Sequence, residues 1–233
     1  ELATRKRRVK ACVVMPTIAN PLGSVMPDEN KARLVELLAA RNIPLIEDDV
    51  YGDLHYSHTR PLAAKAYDEA GLVLLCSSFT KALAPGFRVG WVAPGRFRAQ
   101  VEMLKFITTV ATPDILQSTV AEFLNTGGYD RHLRIVRKVF ANQVARVSDA
   151  VAEYFPAGTQ ITRPQGGFVL WVELPEGTDS FAVARRALRQ GVSIAPGPLF
   201  SASGKFGNFI RLSCARIWDA RLERALFTVA KLV

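Results

Sequence analysis

The sequence predicts an α/β fold, a mainly parallel sheet followed by a smaller α+β region. Three observations carry this. Short, continuous apolar runs alternate with a helical segment, as in strands of a parallel sheet covered on both faces. Polar residues collect directly after those runs, where open α/β sheets bind ligands. After Phe155-Pro156 the texture changes to strands alternating with short helices.

The elements follow in order. Ala11-Cys12-Val13-Val14-Met15 is a strand-like run ended by Pro16. Pro27-Asp28-Glu29 opens a helix whose apolar positions Leu34, Val35, Leu37 and Leu38 form one face, and Asn42 closes it. Ile43-Pro44-Leu45-Ile46 runs into Glu47-Asp48-Asp49, and Leu72-Val73-Leu74-Leu75-Cys76 runs into Ser77-Ser78. A fourth strand is Arg88-Val89-Gly90-Trp91-Val92-Ala93. From about Phe97 the pattern turns helical, with segments over 116–124 and 129–154; the longer one carries Ile135, Val139, Val144 and Val151 among its apolar positions. Phe168-Val169-Leu170-Trp171-Val172-Glu173-Leu174 reads as a strand, and residues 180–190 as a helix closed by Gly191. Strands over 192–195 and 208–213 and a helix over 220–233 complete the chain. These elements divide into regions 1–143 and 144–233, joined by the long helix.

Composition narrows the class. With 233 residues, 49% hydrophobic and 22% charged, the chain can bury a core and does not read as disordered. No apolar run approaches the roughly 18 residues that cross a bilayer, and the basic stretch Arg5-Lys6-Arg7-Arg8 leads into a strand rather than a signal-peptide core. Three cysteines without metal-ligand spacing (Cys12, Cys76, Cys214) fit buried packing positions in a reducing cytoplasm. The net charge of +9 concentrates in residues 5–10, 131–138 and 185–189. Solvated helix faces explain it, as does attraction to nucleic acid or anionic ligands, and composition does not separate the two. His55, His58 and His132 show no metal spacing and receive no catalytic role; Trp91 and Trp171 read as packing residues.

Ser77-Ser78-Phe79-Thr80-Lys81-Ala82-Leu83-Ala84-Pro85-Gly86-Phe87-Arg88-Val89-Gly90-Trp91 resembles the Schiff-base lysine signature of fold-type I pyridoxal-phosphate (PLP) enzymes. The seven-residue gap from Lys81 to Arg88 is similar to that of alpha-aminoadipate-type aminotransferases and MocR regulators. Asn20-Pro21-Leu22-Gly23 resembles the family's Asn-Pro-x-Gly turn, whose asparagine binds the cofactor's phenolic oxygen and whose Asn-Pro bond is often cis. Asp48-Asp49-Val50-Tyr51 resembles its Asp-x-x-Tyr. A buried aspartate needs a cation. Asp49 is the rival for that role, but Asp48 alone stands three before Tyr51. Pro164-Gln165-Gly166-Gly167-Phe168 and Asn208-Phe209-Ile210-Arg211-Leu212-Ser213 resemble the small domain's glycine-pair strand and its carboxylate-binding strand, and Ile194-Ala195-Pro196-Gly197-Pro198-Leu199-Phe200 resembles the loop that closes over substrate.

The resemblance implies the C-terminal portion of a fold-type I large domain plus a small α+β domain, with the N-terminal part of the fold lying outside these residues. It implies PLP held on Lys81, which also moves the substrate's α-proton. Asp48 faces the pyridine nitrogen, Asn20 and Tyr51 the phenolic oxygen, and Ser78 and Arg88 the phosphate. Arg211 clamps a substrate carboxylate, and no metal is involved. Two jobs fit this set. One is the aminotransferase-like effector domain of a MocR-type regulator of the GntR superfamily, reaching DNA only through an N-terminal domain and sensing or transaminating an amino-group ligand. The other is a stand-alone aminotransferase. The strings Glu47-Asp48-Asp49-Val50-Tyr51-Gly52-Asp53-Leu54, Gly127-Gly128-Tyr129-Asp130-Arg131-His132-Leu133-Arg134 and Ala195-Pro196-Gly197-Pro198-Leu199-Phe200 resemble the regulator more. A lyase or decarboxylase would keep the same cofactor residues, but Arg211 argues against it, because decarboxylation prefers an unclamped carboxylate. A cytoplasmic homodimer is the expected assembly.

Overall fold

Residues 9–233 are described in a computed structural model, so the basic stretch Arg5-Lys6-Arg7-Arg8 lies outside the described residues. The described chain forms two compact units, residues 9–19 with 25–136, and residues 20–24 with 137–233. The second unit thus begins inside the long helix, seven residues before the boundary read from the sequence, and it takes in the short segment around Asn20.

In the first unit a four-stranded sheet has the order β1 (Cys12–Val14), β2 (Leu45–Asp48), β3 (Val73–Ser78), β4 (Gly90–Ala93). The first three strands are parallel; β4 returns antiparallel to β3, with Ser78 opposite Gly90. Side chains alternate across a strand. Cys12, Val14, Leu45 and Val73 therefore point one way, against Val35 and Leu38 of α1 (Asp28–Ala39). The opposite face carries Val13, Ile46, Leu74 and Asp48. Here the sequence reading needs correction: β1 was expected to be covered on both faces, yet Val13 is 68% exposed. Among the described residues, one face is covered.

Helix α1 starts after Pro27 with acids in its first turn, favourable against the helix dipole. Its buried stripe is Lys31, Val35 and Leu38, at i, i+4 and i+7. Leu37, expected on that face, is exposed, and Lys31 takes the place of an apolar residue. The lysine is tolerated because its Nζ donates to the Leu62 carbonyl at 2.5 Å and pairs with Asp28 at 3.2 Å. Helix α2 (Arg98–Thr109) buries no residue, and α3 (Asp114–Asn125) buries Val120. Helix α4 runs from Gly128 to Tyr154 without a break. Val144 and Val151 are buried on it as expected, whereas Ile135 and Val139 are exposed.

The second unit holds an antiparallel sheet in the order β5 (Gln160–Ile161), β6 (Val169–Glu173), β8 (Phe209–Ser213), β7 (Ala195–Pro196). Its central strand β6 buries Val169, Leu170, Trp171 and Val172 on both faces. Each such buried large apolar side chain contributes about 1.5–3 kcal/mol. Trp171 packs among Phe200, Phe206 and Phe209 at centroid distances of 5.2–5.7 Å. Helices α5 (Ser180–Arg189) and α6 (Ala220–Ala230) are capped by Asp179 and Asp219, which accept first-turn amides. No described helix is long and apolar enough to cross a membrane.

Candidate functional site

Three consecutive acids end β2, and each goes a different way. Glu47 is fully buried on the α1 side and accepts the amides of Ala64 (2.7 Å) and Lys65 (2.9 Å), satisfying the start of a short 3₁₀ turn. Asp49, 1% exposed, pairs with Arg60. Asp48, between them, lies on the uncovered face. Its Oδ1 accepts the Val50 amide at 3.2 Å, and no cation pairs with it among the described residues. The rivalry between the two aspartates is thereby given a physical form. Asp49 has its cation inside the protein, and Asp48 has a carboxylate oxygen to offer. Tyr51 is buried at the head of the next 3₁₀ turn, Gly52–Leu54.

Asp49 belongs to a network. Arg60 donates through Nη2 to Asp49 and through Nε to Asp53 at 2.8 Å, and the Tyr129 hydroxyl donates to Asp53 Oδ2, also at 2.8 Å. Burial pushes the Asp49 carboxyl up to about 6, against the opposing pull of Arg60. Burial works against the Arg60 cation as well, but its bonds to Asp53 and Asp49 hold its pKa above the ordinary value. Gly52 makes room for this: a Cβ there would meet Asp49 Oδ1 at 2.4 Å and Arg60 Nη2 at 2.5 Å.

Ser78 closes β3, and Lys81 and Arg88 sit on the β3–β4 connection that follows. The Phe79 amide donates to the Val89 carbonyl at 3.1 Å, closing the neck of this loop. A tight turn follows, in which the amides of Leu83 and Ala84 both donate to Phe79 O (2.8 and 3.0 Å). Lys81 is exposed at its head. Ser78 Oγ accepts the Thr80 amide at 3.3 Å. Arg88 adopts the left-handed conformation (φ 55°) and is also exposed. Gly90, opposite Ser78, allows the strands to close, since a Cβ would stand 2.9 Å from Ser77 O. Asp48 is in register with Cys76, two residues before Ser78. The structure thus gathers Asp48, Ser78, Lys81 and Arg88 at one end of one sheet.

The remaining two candidates belong to the second unit. Arg211 lies on β8, opposite Trp171 on one side and Ala195 on the other. Its Nη1 donates to Asn20 Oδ1 at 3.0 Å, and its guanidinium lies 5.0 Å from the Phe200 ring centroid. Asn20-Pro21 is cis, in line with the expectation for that turn. Gly23 (φ 71°) presses on Pro164, where a Cβ would come within 2.3 Å of the proline's own Cβ. One face of the Arg211 guanidinium is thus covered by Phe200 and one of its nitrogens is held by Asn20.

Two expectations about other residues change. Of the cysteines, Cys214 alone is buried, its thiol pushed up to about 12 by that burial, whereas Cys12 and Cys76 are partly exposed. Trp171 packs as expected, but Trp91 is largely exposed. The sequence reading also missed Arg60, Asp53 and Tyr129. Nothing in the linear spacing ties Arg60 to acids 7 and 11 residues before it. Among the described residues no cluster of three or more His, Cys, Asp or Glu side chains could hold a metal.

Comparison with known proteins shows the family. The model of the family "Aminotransferase class I and II" matches residues 2–229. Two uncharacterized HTH-type transcriptional regulators of Escherichia coli, YdcR and YjiR, are 41% and 40% identical over all 233 residues of this chain, which spans 50% of either relative. Among solved structures, a Pyrococcus horikoshii kynurenine aminotransferase superposes with a TM-score of 0.90 at 31% identity, over 99% of this chain and 57% of its own. The chain belongs to the class I and II aminotransferases, a family whose cofactor is pyridoxal phosphate.

Proposed function

We propose that this chain is the PLP-binding, aminotransferase-like effector region of a MocR-type transcriptional regulator of the GntR superfamily. The observation that carries the reading is the match along the whole chain, at 40–41% identity, to two HTH-type regulators of which it spans half. DNA binding would reside in a part of the regulator outside these residues. A homodimer in the cytoplasm is the assembly we propose.

The residues present fit the cofactor. When bound, PLP supplies an electron sink to an amino-group ligand. Lys81, exposed and without an ion pair among the described residues, supplies the amine that would hold it and the base that would move the ligand's α-proton. Asp48 offers an uncompensated carboxylate to the protonated pyridine nitrogen. Ser78 and Arg88, brought to the same loop, offer a hydroxyl and a cation to the phosphate. Asn20 and Tyr51 are the candidates for the phenolic oxygen, and Arg211 for the carboxylate of an amino-acid ligand.

The second reading, a stand-alone aminotransferase, is supported by the fold match to the kynurenine enzyme. One experiment separates the two. The full-length protein is mixed with PLP, treated with amino acids and followed by visible absorbance, with borohydride trapping on wild type and Lys81→Ala. Loss of the visible band with release of a keto acid means a working aminotransferase. A band that persists or merely shifts means a sensor. Borohydride trapping that survives Lys81→Ala overturns the assignment of the lysine.

A further inference from the structure

The string Gly127-Gly128-Tyr129-Asp130-Arg131-His132-Leu133-Arg134 has no place among the cofactor contacts, yet the first turn of α4 touches both halves of the first unit's site. Gly128 lets the helix start against α3, since a Cβ there would stand 2.5 Å from the Phe123 ring. From the next residue and from one turn on, two side chains reach out in different directions. The Tyr129 hydroxyl donates to Asp53 Oδ2 at 2.8 Å, and through Arg60 this reaches Asp49, the neighbour of Asp48. The Tyr129 ring also meets Phe79 edge-on at 5.7 Å, two residues before Lys81. His132 Nε2 lies 2.8 Å from the carbonyl oxygen of Ala82, the residue directly after Lys81. A carbonyl only accepts, so Nε2 carries the proton and donates.

These contacts bracket the lysine. The turn over residues 79–84 closes on itself through Phe79 O, while Ala82 O points outward and is taken by His132. The peptide plane between Ala82 and Leu83 is therefore held from both sides, its carbonyl by His132 on α4 and its amide by Phe79 O within the turn. Tyr129 is buried, so this anchor is held by packing as well as by its hydroxyl. A lysine on an exposed loop would otherwise sample many positions, and a reactive group needs its neighbours to restrict it.

We infer that Tyr129 and His132 are positioning residues, which set the Lys81 turn and the Asp48-Asp49 strand end in register with each other from one turn of α4. This rests on Lys81 being the cofactor lysine, and the test has one arm with the cofactor and one without.

In the first arm, the full-length protein loaded with PLP is titrated with pH and its visible band followed. The midpoint reports the electrostatic surroundings of Lys81 Nζ, which depend on where the turn holds it. Losing one hydrogen bond in Tyr129→Phe or His132→Phe should move the midpoint by about 0.5–1 pH unit. His132→Gln, which keeps an N–H donor, should restore it. In the second arm, amide exchange of Leu83 and Ala84 is measured on PLP-free protein. It should accelerate in His132→Phe and return in His132→Gln, a rescue that general loss of stability would not produce.

Unchanged midpoints together with unchanged exchange at Leu83 and Ala84 overturn the inference. If the wild type takes up no PLP while the exchange arm behaves as described, the positioning role stands and the cofactor reading falls. If PLP loads normally and neither variant differs from wild type, the cofactor reading stands and the positioning role falls.

Discussion

Replacing Arg60 with Met tests the buried network beside the site. Asp49 is almost wholly buried, and its Oδ1 has no hydrogen-bond partner among the described residues, so Arg60 is its main compensation. Even with that partner its pKa stands raised from 3.8 to about 6. At about 1.36 kcal/mol per unit, holding this carboxylate ionised costs the folded state on the order of 3 kcal/mol. The sign follows from which state binds more protons. A folded-state pKa above the unfolded one means that the folded state holds the extra proton between about pH 4 and 6. Stability from this group is therefore highest at acid pH and falls as pH rises through that window. Arg60→Met removes the cation and pushes Asp49 higher still. At about 1.36 kcal/mol for each pH unit above the wild-type value of about 6, the loss tied to this proton should be about 2 kcal/mol at pH 7.5. For a chain of this size that is a fall in Tm of roughly 5 °C. Near pH 5, with Asp49 protonated in both proteins, most of the difference should vanish. Adding Asp49→Asn should recover most of it at neutral pH. Thermal and urea melts of full-length protein at several pH values read all three effects. A loss that is the same at pH 5 and pH 7.5, and that Asp49→Asn does not relieve, refutes the reasoning.

Three other perturbations test neighbouring features of the fold. Gly23→Ala forces a Cβ against Pro164 at a positive φ, and urea melts should show a loss of about 1–3 kcal/mol. Arg211→Lys replaces a planar fork by a point charge; calorimetry should show ligands bearing an α-carboxylate weakened about tenfold or more, with PLP loading unchanged. Cys214, fully buried with its thiol pushed up to about 12, should resist thiol reagents in the native protein and react on unfolding.

How legible the fold was depended on how local its causes are. The strand runs at β2, β3 and β6 were readable because continuous apolar residues between turn signals have few other uses. The antiparallel return of β4 was not readable, since it follows from the length of the loop that carries Lys81 and not from the strand's own residues. The helix face of α1 was misassigned at Leu37 because periodicity alone treats every apolar residue as buried. Lys31 shows the converse, a cation buried only because the Leu62 carbonyl and Asp28 wait for it. Candidate site residues can be named from sequence where they fall in strings, as around Lys81, Asp48 and Arg211. Arg60 and Tyr129 cannot be, because what makes them matter is a pair of acids brought close by a 3₁₀ turn and a helix start far along the chain.

The three acids that end β2 show why a strand end makes a site. Glu47, Asp48 and Asp49 are chemically near-equivalent, and strand alternation sends Glu47 and Asp48 to opposite faces. Glu47 faces α1 and is consumed by two backbone amides; Asp49, where the strand has ended, is consumed by Arg60. Each of these is stabilised in a way that leaves little for a ligand. Asp48 faces the side of the sheet that the described residues leave uncovered, and it gives only one oxygen to a local turn. A carboxylate in that state gains most from a bound cation, because its desolvation is incomplete and its charge is unanswered. The same logic holds on the neighbouring loop, where Ser78, Lys81 and Arg88 carry donors that the protein does not itself use up. What distinguishes the candidate site from the rest of the sheet is therefore less its residue types than its unspent hydrogen-bonding and charge capacity. Asp48→Asn should weaken PLP retention, whereas Asp49→Asn should spare it and shift stability; the reverse result would exchange the roles of the two aspartates.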